Sequence, residues 1–290
     1  MSNPQVDPSE IAMQAGRQQT WNETARDFSD AAAIAAPGGE VISARLIALA
    51  HITAGQRVLD VATGAGDPAL TAARVVGPSG SVVGVDHAPQ MLEMARQRAK
   101  AAGLSNVTFL EGDAQALDLP PQSFDAVLSR WGLMFFLPLV PALEGFRRVL
   151  RPGGYLAAAV WGAPQEVPLI SASCAAVMGQ LGRPLPPPDA PGPFNLADAN
   201  KLTQSLTDAG FHNVETESQT MSVTFPSAEV FVRFQRATNM LVKTVIEQQP
   251  EDQQAALWQT VAQVGARMAN LDGSITLHNR CICVSGQASL

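Results

Sequence analysis

The chain has 290 residues, with 19 Lys and Arg against 26 Asp and Glu, a formal charge of −7 at pH 7. Hydrophobic residues make up 46% and charged residues 16%, which is enough apolar material for a full core and too much for a disordered chain. The acidic balance excludes the clustered positive surface that binding DNA or RNA requires.

The longest apolar stretch, Trp131 to Leu143, is broken by Pro138 and Pro141 and is too short to span a bilayer. The opening Met1-Ser2-Asn3-Pro4-Gln5 lacks the basic and then apolar segments of a secretion signal. Three cysteines, an odd number, read as ordinary buried thiols of a reduced, cytoplasmic protein. Cys281 and Cys283 share one face of a strand, and nothing near them completes a metal site.

In chain order, residues from about Glu10 to Ala36 read as an irregular helical lead, and Pro37-Gly38-Gly39 breaks it. Val41, Ile42, Leu46 and Leu49 then recur at helical spacing. Arg57 to Ala62 is a short apolar run that reads as a strand, followed by a helix from Pro68 to Val76. Ser81 to Asp86 is a second strand. Ala88, Met91, Leu92, Ala95, Ala99 and Ala102 mark a helix ended by Gly103. Val107 to Leu110 and Phe124 to Ser129 are the third and fourth strands. Leu139 to Leu150 is a helix, and Gly154 to Val160 is a fifth strand.

Strands alternating with helices and apolar on both faces require a parallel sheet covered on both sides. Right-handed crossovers then give a doubly wound α/β core. Beyond Trp161, Val167 to Leu181 reads as a helix, Pro184 to Pro188 as a proline-rich connection, and Asp198 to Ala209 as a helix capped by Gly210. Phe211 to Val223 is a sixth strand and Ile275 to Val284 a seventh. Between them Phe231, Phe234, Thr238, Leu241 and Val245 trace one helix face, and Leu257, Val261, Val264, Met268 and Leu271 trace another. The expected fold is a mostly parallel, seven-stranded, Rossmann-like sheet with a helical cap. Residues 1–40 form an N-terminal helical lid and 41–162 the cofactor-binding core. Residues 163–197 and 226–273 are substrate-cap insertions, and 198–225 and 274–290 complete the sheet.

Open α/β sheets bind ligands beyond the carboxyl ends of their strands. The first such loop runs Asp60-Val61-Ala62-Thr63-Gly64-Ala65-Gly66-Asp67, and its two glycines let backbone approach a ligand closely. Asp86 follows the second glycine by 20 residues. It can accept both hydroxyls of a ribose, or cap the next helix. Asp60, Asp86 and Asp113 place a carboxylate at three successive strand ends. Gly64-x-Gly66-x-x-Ala69 formally matches the dinucleotide fingerprint. A pyrophosphate, however, must rest on the helix N-terminus, where Asp67 would repel it. S-adenosylmethionine has no phosphate and carries a sulfonium and an ammonium, which acidic strand ends favour. Charge sign therefore points to the methyl donor over NAD.

Val58 to Gly66 resembles motif I of the class I S-adenosylmethionine-dependent methyltransferases. Val85-Asp86-His87-Ala88-Pro89-Gln90-Met91-Leu92 resembles the family's ribose-binding segment, and Gly112-Asp113-Ala114 with Leu119-Pro120 its adenine-binding segment. Ser123 to Val127 and Leu150 to Gly154 are similar to its fourth- and fifth-strand motifs. The resemblance covers roughly residues 41–162, with five motifs in order, and is nearest to the ubiquinone/menaquinone-methyltransferase-like, type-11 branch. It implies that Ala62, Gly64 and Gly66 present backbone to the methionine part with Asp60 nearby. It implies further that Asp86 holds the ribose, His87 and Met91 flank the adenosine, and Asp113 with the Ala114 N–H binds the adenine. Arg130 falls near the methionine end.

Methyl transfer to an aligned acceptor needs mainly proximity and orientation. The apolar segment after the fourth strand offers Trp131, Met134 and Phe135 to a substrate, and Trp21 and Phe28 to a lid. No catalytic residue is assigned. Of His51, His87, His212 and His278, only His87 lies near the site; His51 ends a helix, and His212 and His278 fall in late strands. Tyr155 falls in the sheet, and no Asn/Asp-Pro-Pro-Tyr follows the fourth strand. The expectation is a cytoplasmic methyltransferase acting on a small apolar or aromatic metabolite, with no nucleic acid, membrane span or metal. Phe231 or Phe234 is available to an interface. The alternatives are an NAD-dependent oxidoreductase, whose Tyr-x-x-x-Lys is missing, and a non-catalytic cofactor-binding protein.

Overall fold

The computed structural model describes residues 31–187 and 190–289. Its seven strands are β1 (Arg57–Val61), β2 (Ser81–Asp86), β3 (Val107–Glu111), β4 (Phe124–Arg130), β5 (Leu150–Trp161), β6 (His212–Phe225) and β7 (Ile275–Gln287). They form one sheet in the order β3-β2-β1-β4-β5-β7-β6. The first five are parallel, and β7 runs antiparallel to both of its neighbours. The expected fold is therefore observed. The central strands are buried along nearly their whole length, as a sheet covered on both faces demands. Strand order reverses between β1 and β4, which opens a crevice at their carboxyl ends.

Four crossover helices follow the expected pattern: α2 (Ala69–Val76), α3 (Pro89–Ala101), α4 (Leu139–Val149) and α6 (Ala199–Asp208). Pro89 occupies the first turn of α3, where its missing N–H costs nothing. Asp198 caps α6 by accepting from Asn200 N at 2.9 Å.

One expectation is corrected at α1 (Ala31–Leu49), which runs unbroken through Pro37-Gly38-Gly39. The glycines serve approach. A Cβ on Gly38 would collide with Ser222 O of β6, and one on Gly39 would meet the Arg130 guanidinium at 2.9 Å. Tertiary packing thus overrides local propensity. By length and composition α1 could cross a membrane. Here it buries Ile42, Leu46 and Ile47 in the core, and Arg45 pairs with Glu217 of β6 through two bonds of 2.5 Å.

The remaining helices, α5 (Pro168–Gln180), α7 (Ala228–Thr238), α8 (Met240–Glu247) and α9 (Glu251–Met268), pack on one another. α5 follows the end of β5, while α7 to α9 join the end of β6 to the start of β7. Because β6 runs parallel to β5, both insertions spring from the carboxyl edge of the sheet. The single helix face expected over Phe231 to Val245 is two helices. Asn239 divides them, its side chain accepting from Val242 N at 3.3 Å to start α8. Phe231 and Phe234 pack edge-on against Phe225, at centroid distances of 5.3 and 5.1 Å. They belong to the core, which corrects the interface reading.

Candidate functional site

The loop after β1 is built around a buried carboxyl. Asp60 Oδ2 accepts from Thr63 Oγ1 at 2.6 Å and from Ala69 N, in the first turn of α2, at 3.0 Å. Its Oδ1 is buried with no hydrogen-bonding partner among the described residues. Burial pushes this carboxyl up to about 7, against the pull of the Thr63 and Ala69 bonds.

The sequence placed Asp67 in that first turn, and this is corrected. Asp67 precedes the helix, and its carboxylate accepts from Arg98 Nη2 at 2.6 Å and Thr71 Oγ1 at 3.2 Å. The start of α2 is held by a carboxyl, as expected, but the carboxyl is that of Asp60.

The two loop glycines divide the work. Gly64 has φ +53°, and a Cβ there would meet nothing within 4 Å, so its backbone borders open space. A Cβ on Gly66 would press on Ala95 and Leu70 at 3.1 Å. The missing Cβ of Gly66 thus lets α2 and α3 close on that side of the loop.

Asp86, at the end of β2, does not cap α3, whose N-cap is Ala88, but holds backbone on either side. Its Oδ2 accepts from Gly64 N at 2.8 Å and its Oδ1 from Ala88 N at 2.9 Å. Each oxygen keeps a further lone pair. His87 Nδ1 lies 3.5 Å from Asp86 Oδ1. Met91 and Ala88 form a small apolar cluster with Ala65 and Met94. Asp113 lies two residues past β3 rather than at its end, and its Oδ1 accepts from Gln115 N at 2.9 Å. Ala114 beside it is buried.

At the end of β4 the chain turns sharply. Trp131 has φ +60°, and Ala62, its counterpart after β1, has φ +54°. Such non-glycine values are uncommon and cluster at functional sites. The two turns touch, because a Cβ on Gly132 would meet Ala62 Cβ and Ser129 Oγ at 2.7 Å.

Trp131 stacks on Trp161, with centroids 4.6 Å apart and planes 9° from parallel. The Arg130 guanidinium lies 4.7 Å from the Trp131 ring. Arg130 Nη1 donates to Gly39 O and Ser43 Oγ, both at 2.8 Å, so both N–H groups of this nitrogen are committed to α1. Arg130 Nε and Ser129 Oγ are buried without partners among the described residues. Burial pulls the Arg130 pKa down, and the nearby Asp67 and Asp60 push it back up. Trp131 and Phe135 are partly exposed, whereas Met134 is 2% exposed and packs in the core. Trp21 and Phe28 lie outside the described residues.

Sequence reasoning missed Thr63, Gly132 and Arg98 as parts of this rim. Arg98 carried a signal: it follows Met91 and Ala95 at helical spacing, a cation on an otherwise apolar stripe.

A family model described as a methyltransferase domain matches residues 52–210. The chain belongs to the class I S-adenosylmethionine-dependent methyltransferases. It is 35% identical over 177 residues to the ubiquinone/menaquinone biosynthesis C-methyltransferase UbiE of Cronobacter sakazakii, covering 57% of this chain and 70% of that one. It is 47% identical over 112 residues to a demethylmenaquinone methyltransferase of Thermus thermophilus, covering 39% of this chain. The match spans half of the Thermus protein's own length, 50%. A solved structure of a candidate methyltransferase from Bacillus halodurans C-125 shares the fold at a TM-score of 0.55 and 21% identity, covering 86% of this chain and 99% of that one. Membership of this family retires the NAD-dependent alternative. S-adenosyl-L-methionine is the family's methyl donor.

Proposed function

We propose that this chain transfers a methyl group from S-adenosyl-L-methionine, by in-line displacement, to an O, N or C atom of a small apolar or aromatic metabolite. The observation that carries the reading is the rim formed by Gly64, open to space, between the carboxyls of Asp60 and Asp86. The fit is chemical. The α2 N-terminus that would cradle a diphosphate is already occupied by Asp60. The partnerless Asp60 Oδ1 has capacity for a cationic group.

In this reading the free lone pairs of Asp86 accept the ribose hydroxyls. Ala62 and Gly64 border the methionine part, with Gly66 behind them holding the loop against α3. His87 and Met91 flank the adenosine, and Asp113 with the Ala114 N–H takes the adenine. Arg130 stands at the methionine end, with Nη1 fixed to α1 and Nε free for an acceptor. When bound, the cofactor supplies a methyl carbon already activated by a positive sulfur. What the chain must add is alignment and exclusion of water.

Residues 163–197 and 226–273 form the cap in this proposal, since both segments rise from the carboxyl edge of the sheet. The acceptor sits between that cap and the Trp131–Trp161 stack, with Trp131 and Phe135 exposed enough to touch it. All three cysteines are free, which supports a reducing, cytoplasmic location. The test is to incubate the purified chain with methyl-labelled S-adenosylmethionine and fractionated cell extract. The expected label appears in a small, organic-extractable molecule. Label confined to protein or nucleic acid, or none in any fraction, would overturn the reading.

A further inference from the structure

The Gly64 loop is held from two sides. On its inner side, Thr63 N donates to Val85 O at 3.0 Å and Gly64 N to Asp86 Oδ2 at 2.8 Å, so the end of β2 fixes the start of the loop. On its outer side Thr71 Oγ1 donates to Asp67 Oδ1 within the same segment, and one side chain ties the loop to the next crossover helix. Arg98, on the last turn of α3, donates from Nη1 to Ala65 O at 2.5 Å and from Nη2 to Asp67 Oδ2 at 2.6 Å. These two acceptors flank Gly66, whose missing Cβ lets α3 come close. The guanidinium is therefore a two-pronged brace between the helix after β2 and the loop after β1. Resting on the cofactor reading above, we infer that Arg98 is a positioning residue: it fixes the backbone from Gly64 to Asp67 in its binding conformation and touches neither cofactor nor acceptor.

Three effects of removing Arg98 can be told apart by sign. Electrostatics alone would tighten binding of S-adenosylmethionine, because a positive charge near a cationic ligand is lost, and would leave the neutral sulfur of S-adenosylhomocysteine indifferent. A purely structural brace would lower the unfolding temperature and leave affinity unchanged while the protein is folded. A positioning role weakens both ligands together, because each must then order a loop that was previously preorganised.

The brace depends on fork geometry. Lys offers a point charge and cannot serve both acceptors in the same planar arrangement. Arg98→Lys is therefore the graded variant and Arg98→Gln the full one.

The experiment is titration calorimetry of S-adenosylmethionine and S-adenosylhomocysteine with wild type, Arg98→Lys and Arg98→Gln, well below each protein's unfolding transition. We expect Arg98→Gln to weaken both ligands by about tenfold and Arg98→Lys to fall between it and wild type. Asp67→Asn leaves the Ala65 bond in place and should weaken both ligands less than Arg98→Gln does. It also serves, with Arg98→Lys, if the Gln variant does not fold. Unchanged affinity in the variants, or tightening for S-adenosylmethionine alone, would overturn the proposal while leaving the cofactor assignment intact. Absence of binding by the wild type would overturn the assignment and the proposal with it.

Discussion

The two halves of this molecule differ in how they handle most of their buried polar groups, although Ser173 Oγ of α5 is, like the groups at the strand ends, enclosed without a partner among the described residues. At the carboxyl ends of β1 and β4, Asp60 Oδ1, Ser129 Oγ and Arg130 Nε are enclosed without partners among the described residues. Where the cap meets the sheet, three buried amides spend their hydrogen bonds on one another and on backbone. Asn279 donates to Met221 O at 3.1 Å and Leu277 O at 3.2 Å and accepts from Leu169 N at 2.9 Å. Gln235 donates to Leu169 O at 2.8 Å, and Asn239 donates to Ile170 O at 3.0 Å and Gln235 Oε1 at 2.8 Å. A satisfied network fixes architecture, while a cluster of unsatisfied groups needs another explanation. In the proposed reading the unsatisfied strand-end groups face the ligand and the amide network braces the cap.

The largest expected effect on stability tests the scaffold side. Asn279→Leu strands the Leu169 N–H and removes a second donor from the Met221 and Leu277 carbonyls of the β6–β7 ladder, at about 1–3 kcal/mol for a group left unpaired in the interior. Denaturant unfolding should therefore show a loss of about 1–3 kcal/mol. The comparison adds a sharper demand: affinity for S-adenosylhomocysteine, measured on the folded variant, should stay at the wild-type value. A parallel loss of affinity would show that the amide cluster belongs to the ligand site after all.

The largest expected effect on affinity is that of Asp86→Ala, which acts on the other half. It removes the acceptor of the Gly64 and Ala88 N–H groups and, in the proposed reading, of the ribose. Charge-assisted bonds are worth about 1.5–3 kcal/mol each, so losing one or two predicts S-adenosylhomocysteine binding weaker by roughly tenfold to several hundredfold or more. Calorimetry with unchanged affinity would remove Asp86 from the site.

The first half was legible in the sequence because its determinants are local. β1, the loop, β2 and α3 are contiguous, their apolar runs match strand and helix periods, and Gly64 and Asp86 fall at informative spacings. What escaped notice there depended on tertiary contact. Asp60 reaches the α2 N-terminus nine residues on, and Asp67 is neutralised by Arg98 from another helix. The second half was legible only in outline. Asn239 looks like any helix-interior residue until Ile170 supplies a carbonyl for it. Pro37-Gly38-Gly39 reads as a break until Ser222 and Arg130 are seen to need the space.

The junction between β1 and β4 offers a smaller perturbation. Gly132→Ala would bring a methyl to 2.7 Å of Ala62 Cβ and Ser129 Oγ, and overpacking of this kind costs about 1–3 kcal/mol. A lowered unfolding temperature is expected, with weaker S-adenosylhomocysteine binding as the Ala62 turn is pushed aside. A variant as stable as wild type would show that the two turns are free to part.

The smallest effect bears most directly on the contrast. Burial pushes Asp60 up to about 7, so the group is mostly protonated near pH 6 and mostly ionised near pH 8. A cation next to Oδ1 stabilises the carboxylate and lowers its pKa, so binding expels a proton and grows stronger as pH rises through that range. S-adenosylmethionine carries the positive sulfur and S-adenosylhomocysteine does not. The ratio of their affinities should therefore shift toward the methyl donor by a few-fold between about pH 6 and about pH 8. In Asp60→Asn, whose amide oxygen can still accept from Thr63 and Ala69, the ratio should be flat. A flat ratio in the wild type would mean that Oδ1 is as much a piece of architecture as the cap amides, and the division between the two halves would fail at the residue on which it was drawn.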